Sequence, residues 1–185
     1  KATGVPIKSV LLAAHFKFLS LWSGASRVTT GLELHGRPEA RDGDQMRGVF
    51  VNTLPVRLEL AGATWMDLAR RAFDAETEIL PFRRYPLAAL QEGREGPLFD
   101  ASFTYLHFYG IDRVFQSTEM VLFRNGISDL SVSNFPLSAI FHMSEGSANV
   151  LALVLEHDDR EIPMQQIRAF QRSFEEVLEA KARNP

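Results

Sequence analysis

Hydrophobic positions cluster first at Val5, Val10, Leu11, Leu12, Phe16, Phe18, Leu19 and Trp22, apolar around nearly the whole circumference of a helix. The run stops at Ser23-Gly24, which predicts a buried helix ending there. Residues 27–34 mix Val28, Leu32 and Leu34 with Thr29, Thr30 and Glu33 and predict a strand. A polar loop, 35–47, is punctuated by Gly36, Pro38 and Gly43 and leads into a second strand over 49–60. There Val56, Leu58 and Leu60 alternate with Arg57 and Glu59, so the second half is buried on one face only.

Thr64 followed by Asp67 predicts a capping box, with the hydroxyl accepting from the third helical N–H and the acid at the positive helix end. Trp65, Leu68, Ala69, Ala72, Phe73, Ile79 and Leu80 then form one stripe suited to docking on a sheet, and Pro81 ends the helix. A short helical piece, Leu87–Gln91, precedes breakers at 92–97 and an aromatic-rich strand at 99–108. Residues 110–126 carry a weak pattern, with a strand at 120–123. Strands at 135–143 and 148–157 flank the turn 144–147, which holds Glu145-Gly146, and predict an antiparallel hairpin. Pro163 suits the first turn of a last helix striped by Met164, Ile167, Phe170, Phe174, Val177 and Leu178. Five or six strands with three longer helices, not strictly alternating, predict one domain: a two-layer α/β sandwich with a mixed sheet.

Composition narrows the function classes. The 185 residues are 45% apolar and 23% charged, enough to bury a core, and the net charge of −3 supplies no broad basic field for nucleic acid. Lys8 and Lys17 interrupt the apolar N-terminal region, so no membrane span is predicted and the expected location is cytoplasmic. The absence of cysteine excludes disulfides, thiolate zinc sites and cysteine nucleophiles. Phosphate loops, dinucleotide fingerprints and a Gly-x-Ser-x-Gly elbow are also missing.

The order of segments is more specific than any of these. SVLLAAHFKFLSLWSG is followed by LELHGRPE and then by GVFVNTLPVR at 48–57, with Tyr85-Pro86-Leu87 and Pro97-Leu98-Phe99 further on. This succession resembles the C-terminal lobe of a nonribosomal peptide synthetase condensation domain over nearly the whole chain. The resemblance implies a chloramphenicol acetyltransferase-like fold of two lobes with a tunnel between them. Carrier-protein-bound donor and acceptor enter on phosphopantetheine arms, and the acceptor amine attacks the donor thioester. No cofactor is expected to bind the lobe directly. Expected partners are the N-terminal lobe, donor and acceptor carrier proteins and neighbouring synthetase domains, with self-association of the isolated lobe. The family's His-His-x-x-x-Asp-Gly motif is absent: His15, His35, His107, His142 and His157 are single, and none has an aspartate four positions later. No catalytic residue is therefore assigned, and the chain alone is expected to be inactive. The chain begins at Lys1 and reads as a piece of a larger polypeptide. A noncatalytic condensation-like interaction module and a lobe of a coenzyme-A-dependent acyltransferase are the alternatives.

Asn52 and Thr53 interrupt the apolar strand pattern, so two roles stay open for them: facing the tunnel, or clamping the loop 36–48, which in family terms resembles the floor under the active site. Asn52 is the leading candidate for a residue near substrate, and Phe50 is a candidate tunnel wall or plain core. His157-Asp158-Asp159 reads as a solvated strand end, because neighbouring strand residues face opposite ways and do not converge on a metal. His107 reads as a histidine satisfied within the structure, and Arg83-Arg84 as surface or as a grip for a phosphate.

Overall fold

The computed structural model describes residues 4–43, 45–106, 134–144 and 150–183. Helix α1 (Ile7–Ser23) leads into β1 (Arg27–His35), which pairs antiparallel with β2 (Val51–Glu59). Next come α2 (Trp65–Ile79), a 3-10 turn (Leu80–Phe82) and α3 (Leu87–Gln91). Strands β3 (Ala101–Leu106), β4 (Leu137–Ser144) and β5 (Val150–His157) follow, then α4 (Met164–Arg183). The described strands form one sheet in the order β2-β1-β3-β4-β5. β3 lies parallel to β1 and to β4, and the two outer pairs are antiparallel, so the sheet is mixed as expected.

Period-two alternation decides what each face of the sheet carries. Val28, Leu32, Leu34, Leu54, Val56, Leu58, Phe103, Ala139 and Phe141 are buried in one core with Leu12, Phe16 and Phe18 of α1, Leu68 and Ala72 of α2, and Phe170 and Phe174 of α4. Phe18 stacks on Phe174 with ring centroids 3.9 Å apart, and Phe141 meets Phe174 edge-on at 6.0 Å. The opposite face carries Thr29, Glu33, Thr53, Ser102, Thr104 and Ser138. There the Phe99 ring lies so close to Gly31 that a Cβ at that position would overlap it.

The expected capping box is present: the Thr64 hydroxyl accepts from Asp67 N–H (3.2 Å), and the Asp67 carboxylate accepts from Thr64 N–H (3.0 Å). The Thr64 hydroxyl also donates to the Asp67 carboxylate (2.6 Å), and this bond first, then the one from Thr64 N–H, holds the Asp67 carboxyl below its usual range. The hairpin also forms, with Leu137 opposite His157.

Several details differ. The helix predicted to be buried all round leaves Ile7, Leu21 and Trp22 exposed at its ends, with Trp22 covering the edge of the core against Phe170 at 4.5 Å. Only Leu68, Ala69 and Ala72 of the α2 stripe are buried; Phe73 and Leu80 are exposed, since α2 rests on α1 and β2 rather than across the sheet. Pro163 stands one residue before α4, its carbonyl accepting from Gln166 (2.8 Å) and Ile167 (3.3 Å). β2 begins at Val51 and β4 at Leu137, later than the composition suggested. The segment 110–126, the strand at 120–123, His107 and the turn residues 145–147 lie outside the described residues.

Candidate functional site: a polar cleft on the sheet face away from the helices

The strand register sets up two rows of side chains on the face away from the helices. Thr53, Glu33, Thr104 and Ile140 lie side by side on β2, β1, β3 and β4. The next row runs Gly31, Ser102, Ser138 and Glu156, ending on β5. Between them lies a cleft of about 370 Å³ lined by Glu33, Thr53, Ser102, Thr104, Ser138 and Glu156, with Val49, Val51 and Phe135 contributing apolar surface. The Ser102 hydroxyl donates to Ser138 Oγ (2.8 Å), and the Thr104 hydroxyl donates to the Glu33 carboxylate. Two carboxylates and four hydroxyls give this surface mainly acceptors, so it suits a group that brings N–H or O–H donors. Among the described residues no group of three His, Cys, Asp or Glu is arranged to hold a metal, and no helix is long and apolar enough to cross a membrane.

Of the three residues singled out in the sequence, Thr53 lines this cleft. Asn52 is its strand neighbour and points to the other face. Its Nδ2 donates to the carbonyls of Arg83 (3.1 Å) and Tyr85 (2.6 Å). Asn52 therefore clamps a turn, but the turn after α2 rather than the loop 36–48 directly. Phe50 is half-buried: its carbonyl accepts from Gly36 N–H (2.5 Å), and its ring lies under the Arg37 guanidinium, 4.5 Å from centroid to Cζ. The structure does not bring the three side chains together.

Arg83 and Arg84 are not simply solvated. Arg84 donates to the carbonyls of Gly36 (2.9 Å) and Arg37 (3.3 Å), while Arg83 pairs with Glu39 (2.8 Å). His157 Nδ1 lies 2.8 Å from the Ile162 carbonyl. Beside it the Asp158 carboxyl is held at about 2, chiefly by hydrogen bonds from the Arg160 side chain and backbone. Glu33, Ser102, Thr104, Ser138 and Glu156 were not singled out in the sequence. The signal was there: Ser102 and Thr104 alternate with Ala101, Phe103 and Tyr105, a polar face hidden in a strand whose aromatics dominate its composition.

An apolar groove of about 270 Å³ lies nearby, on the side of β2 next to α2 and α3, between Leu54, Pro55, Ile79, Phe82, Tyr85 and Leu90.

A relative from Pseudomonas aeruginosa, the AMB antimetabolite synthetase AmbE, is 44% identical over 110 residues, 60% of this chain and 5% of its own length. Gramicidin S synthase 2 of Brevibacillus brevis is 28% identical over 191 aligned positions, covering 99% of this chain and 4% of that protein. The first condensation domain of the calcium-dependent antibiotic synthetase superposes with a TM-score of 0.73 at 17% identity, covering 96% of this chain and 38% of that one, which is a likeness of fold. The chain thus spans only a small part of these synthetases and less than half of that solved domain. The condensation-domain family model matches residues 1–185, and with the 48–57 motif running through β2 beside the cleft, the chain belongs to the condensation-domain family.

Proposed function

We propose that this chain is the C-terminal lobe of a condensation domain that joins a carrier-bound donor acyl or peptidyl thioester to a carrier-bound acceptor amine. In that reaction the amine nitrogen attacks the thioester carbonyl, a C–N bond replaces the C–S bond, and the proton lost by nitrogen ends on the departing phosphopantetheine thiol. The observation that carries this reading is the position of Val51 and Thr53 of the GVFVNTLPVR segment on the wall of the polar cleft. The cleft is this lobe's share of the substrate tunnel. Thr53 offers a hydroxyl, and Glu33, oriented by Thr104, offers an acceptor for the N–H of an amine or amide. Donor and acceptor carrier proteins and the N-terminal lobe are its partners.

Proton handling falls to the missing lobe. The five histidines here are single, so this chain positions reactants and relies on the other lobe for the reacting base.

The test is reconstitution. The chain alone is expected to form no product from loaded carriers, and the intact two-lobe domain is expected to form it. Peptide formation by the isolated chain would sink the lobe reading, and an intact parent domain without turnover would favour a noncatalytic interaction module. Within an active domain, Thr53→Val keeps volume and removes one hydroxyl. It is expected to lower kcat/KM about fivefold, the size of a single lost hydrogen bond of about 1 kcal/mol. Unchanged turnover would remove Thr53 from the tunnel wall.

A further inference from the structure

We infer that Asn52 acts through Arg84: together they form a positioning relay that fixes the loop 36–48 against the end of the β1–β2 hairpin, and Asn52 does not itself touch substrate. Both bonds made by the Asn52 side chain leave from its amide nitrogen and end on backbone carbonyls of the turn after α2, at Arg83 and Tyr85. The residue between those carbonyls is Arg84. Its guanidinium reaches back 48 positions in sequence to the Gly36 carbonyl and, from a second nitrogen, to the Arg37 carbonyl. Arg37 then turns its own guanidinium into the loop, donating to the carbonyls of Gly43 (3.3 Å) and Met46 over the Phe50 ring. Each link thus fixes the next, and the chain of contacts ends two residues before Gly48-Val49, where Val49 lines the cleft.

Two features show that the junction is built rather than incidental. Gly36 is buried, and a Cβ there would lie 3.0 Å from the Phe50 carbonyl oxygen, so the close approach of the two backbones suits glycine, with the Arg84 stem packed alongside at ordinary contact distance. The links also use different chemistry from a charge site. A planar fork on two carbonyls needs the guanidinium geometry, which an ammonium lacks. Fixing a loop at the mouth of a site lowers the ordering cost of each binding event.

This inference rests on the proposed function only for its catalytic consequence, so the experiment has two readouts. In the intact two-lobe domain, trypsin cleavage after the exposed Arg41 and Arg47 reports on the loop, and condensation kinetics report on the site. Asn52→Asp keeps the shape and the acceptor oxygen but replaces the donating nitrogen with oxygen. Asn52→Asp and Arg84→Ala are each expected to speed cleavage at these arginines about tenfold at an unchanged thermal midpoint. Arg84→Lys is expected to behave like Arg84→Ala, and the double variant Asn52→Asp/Arg84→Ala no worse than the more affected single one. The same variants are expected to raise the acceptor KM more than they lower kcat. Wild-type cleavage in Asn52→Asp, multiplicative effects in the double variant, or full activity in Arg84→Lys would overturn the relay. If no form of the domain condenses substrates, the functional reading fails while the cleavage data still decide the relay.

Discussion

His15 lies wholly inside the core, between the rings of Phe103 (5.5 Å) and Phe174 (5.9 Å). Thr30 gives its hydroxyl proton to the Ala101 carbonyl (2.8 Å), so its oxygen accepts from His15 Nε2–H (2.9 Å), which fixes the neutral tautomer. Among the described residues Nδ1 has no hydrogen-bond partner, and burial pushes the imidazole down to about 3. The folded value lies below the unfolded value of 6.5, so the unfolded chain takes up the proton first as pH falls. The stability from neutral His15 is complete above pH 6.5 and is lost from there towards pH 3, at a slope approaching about 1.4 kcal/mol per pH unit. Urea midpoints between pH 7 and 4.5 should fall in the native chain and fall less in His15→Leu; parallel curves would contradict this. Gly31 gives a second expectation at this scale. Gly31→Ala forces Phe99 off its seat and should cost about 1–3 kcal/mol in chemical denaturation, and an unchanged midpoint would mean that the ring moves freely.

Among elements, packing outweighs capping. Phe174 of α4 is 0% exposed and touches Phe18, Phe141 and His15. Phe174→Ala leaves a cavity where three elements meet and should lower stability by about 3–5 kcal/mol. Thr64→Ala removes the N-cap of α2 and should cost about 1 kcal/mol, because Thr64 itself is exposed. Equal losses in the two variants, measured by urea denaturation, would mean that α4 rests lightly on the sheet. The cap and the stripe were both legible in the sequence because their partners lie within a few residues along one helix. The partial exposure of the α2 stripe was not, since Phe73 and Leu80 depend on how far α1 and β2 extend beside them.

For the whole molecule, the two sides of β2 differ in kind. β2 is one of the two edge strands among the described residues, and Pro55 in its middle cannot donate to another strand, which opposes growth of the sheet at that edge. The apolar groove beside it is flanked by Phe82, 63% exposed, and Tyr85, 49% exposed. An isolated chain is therefore expected to self-associate through side chains rather than strands. Light scattering at rising concentration should show association that Phe82→Ser weakens; a monomer at all concentrations would count against it. The polar cleft is the contrasting surface, carrying two carboxylates and four hydroxyls on the face away from the helices.

The sequence by itself determined the elements and their family. Capping, alternation, helical stripes and the 48–57 segment are written in neighbouring residues, and the local forces acting on them do not wait for the rest of the chain. It also singled out Asn52 and Thr53 as polar interruptions of one strand but left the same two roles open for both, and the structure turned them to opposite faces. Only the tertiary structure decided what those faces meet. The order β2-β1-β3-β4-β5 sets Thr104 beside Glu33, 71 positions earlier, and turns Arg84 onto a carbonyl 48 positions earlier. Such meetings depend on strand register and helix docking, which are settled by burial of the shared core and not by any property of the two residues that come into contact.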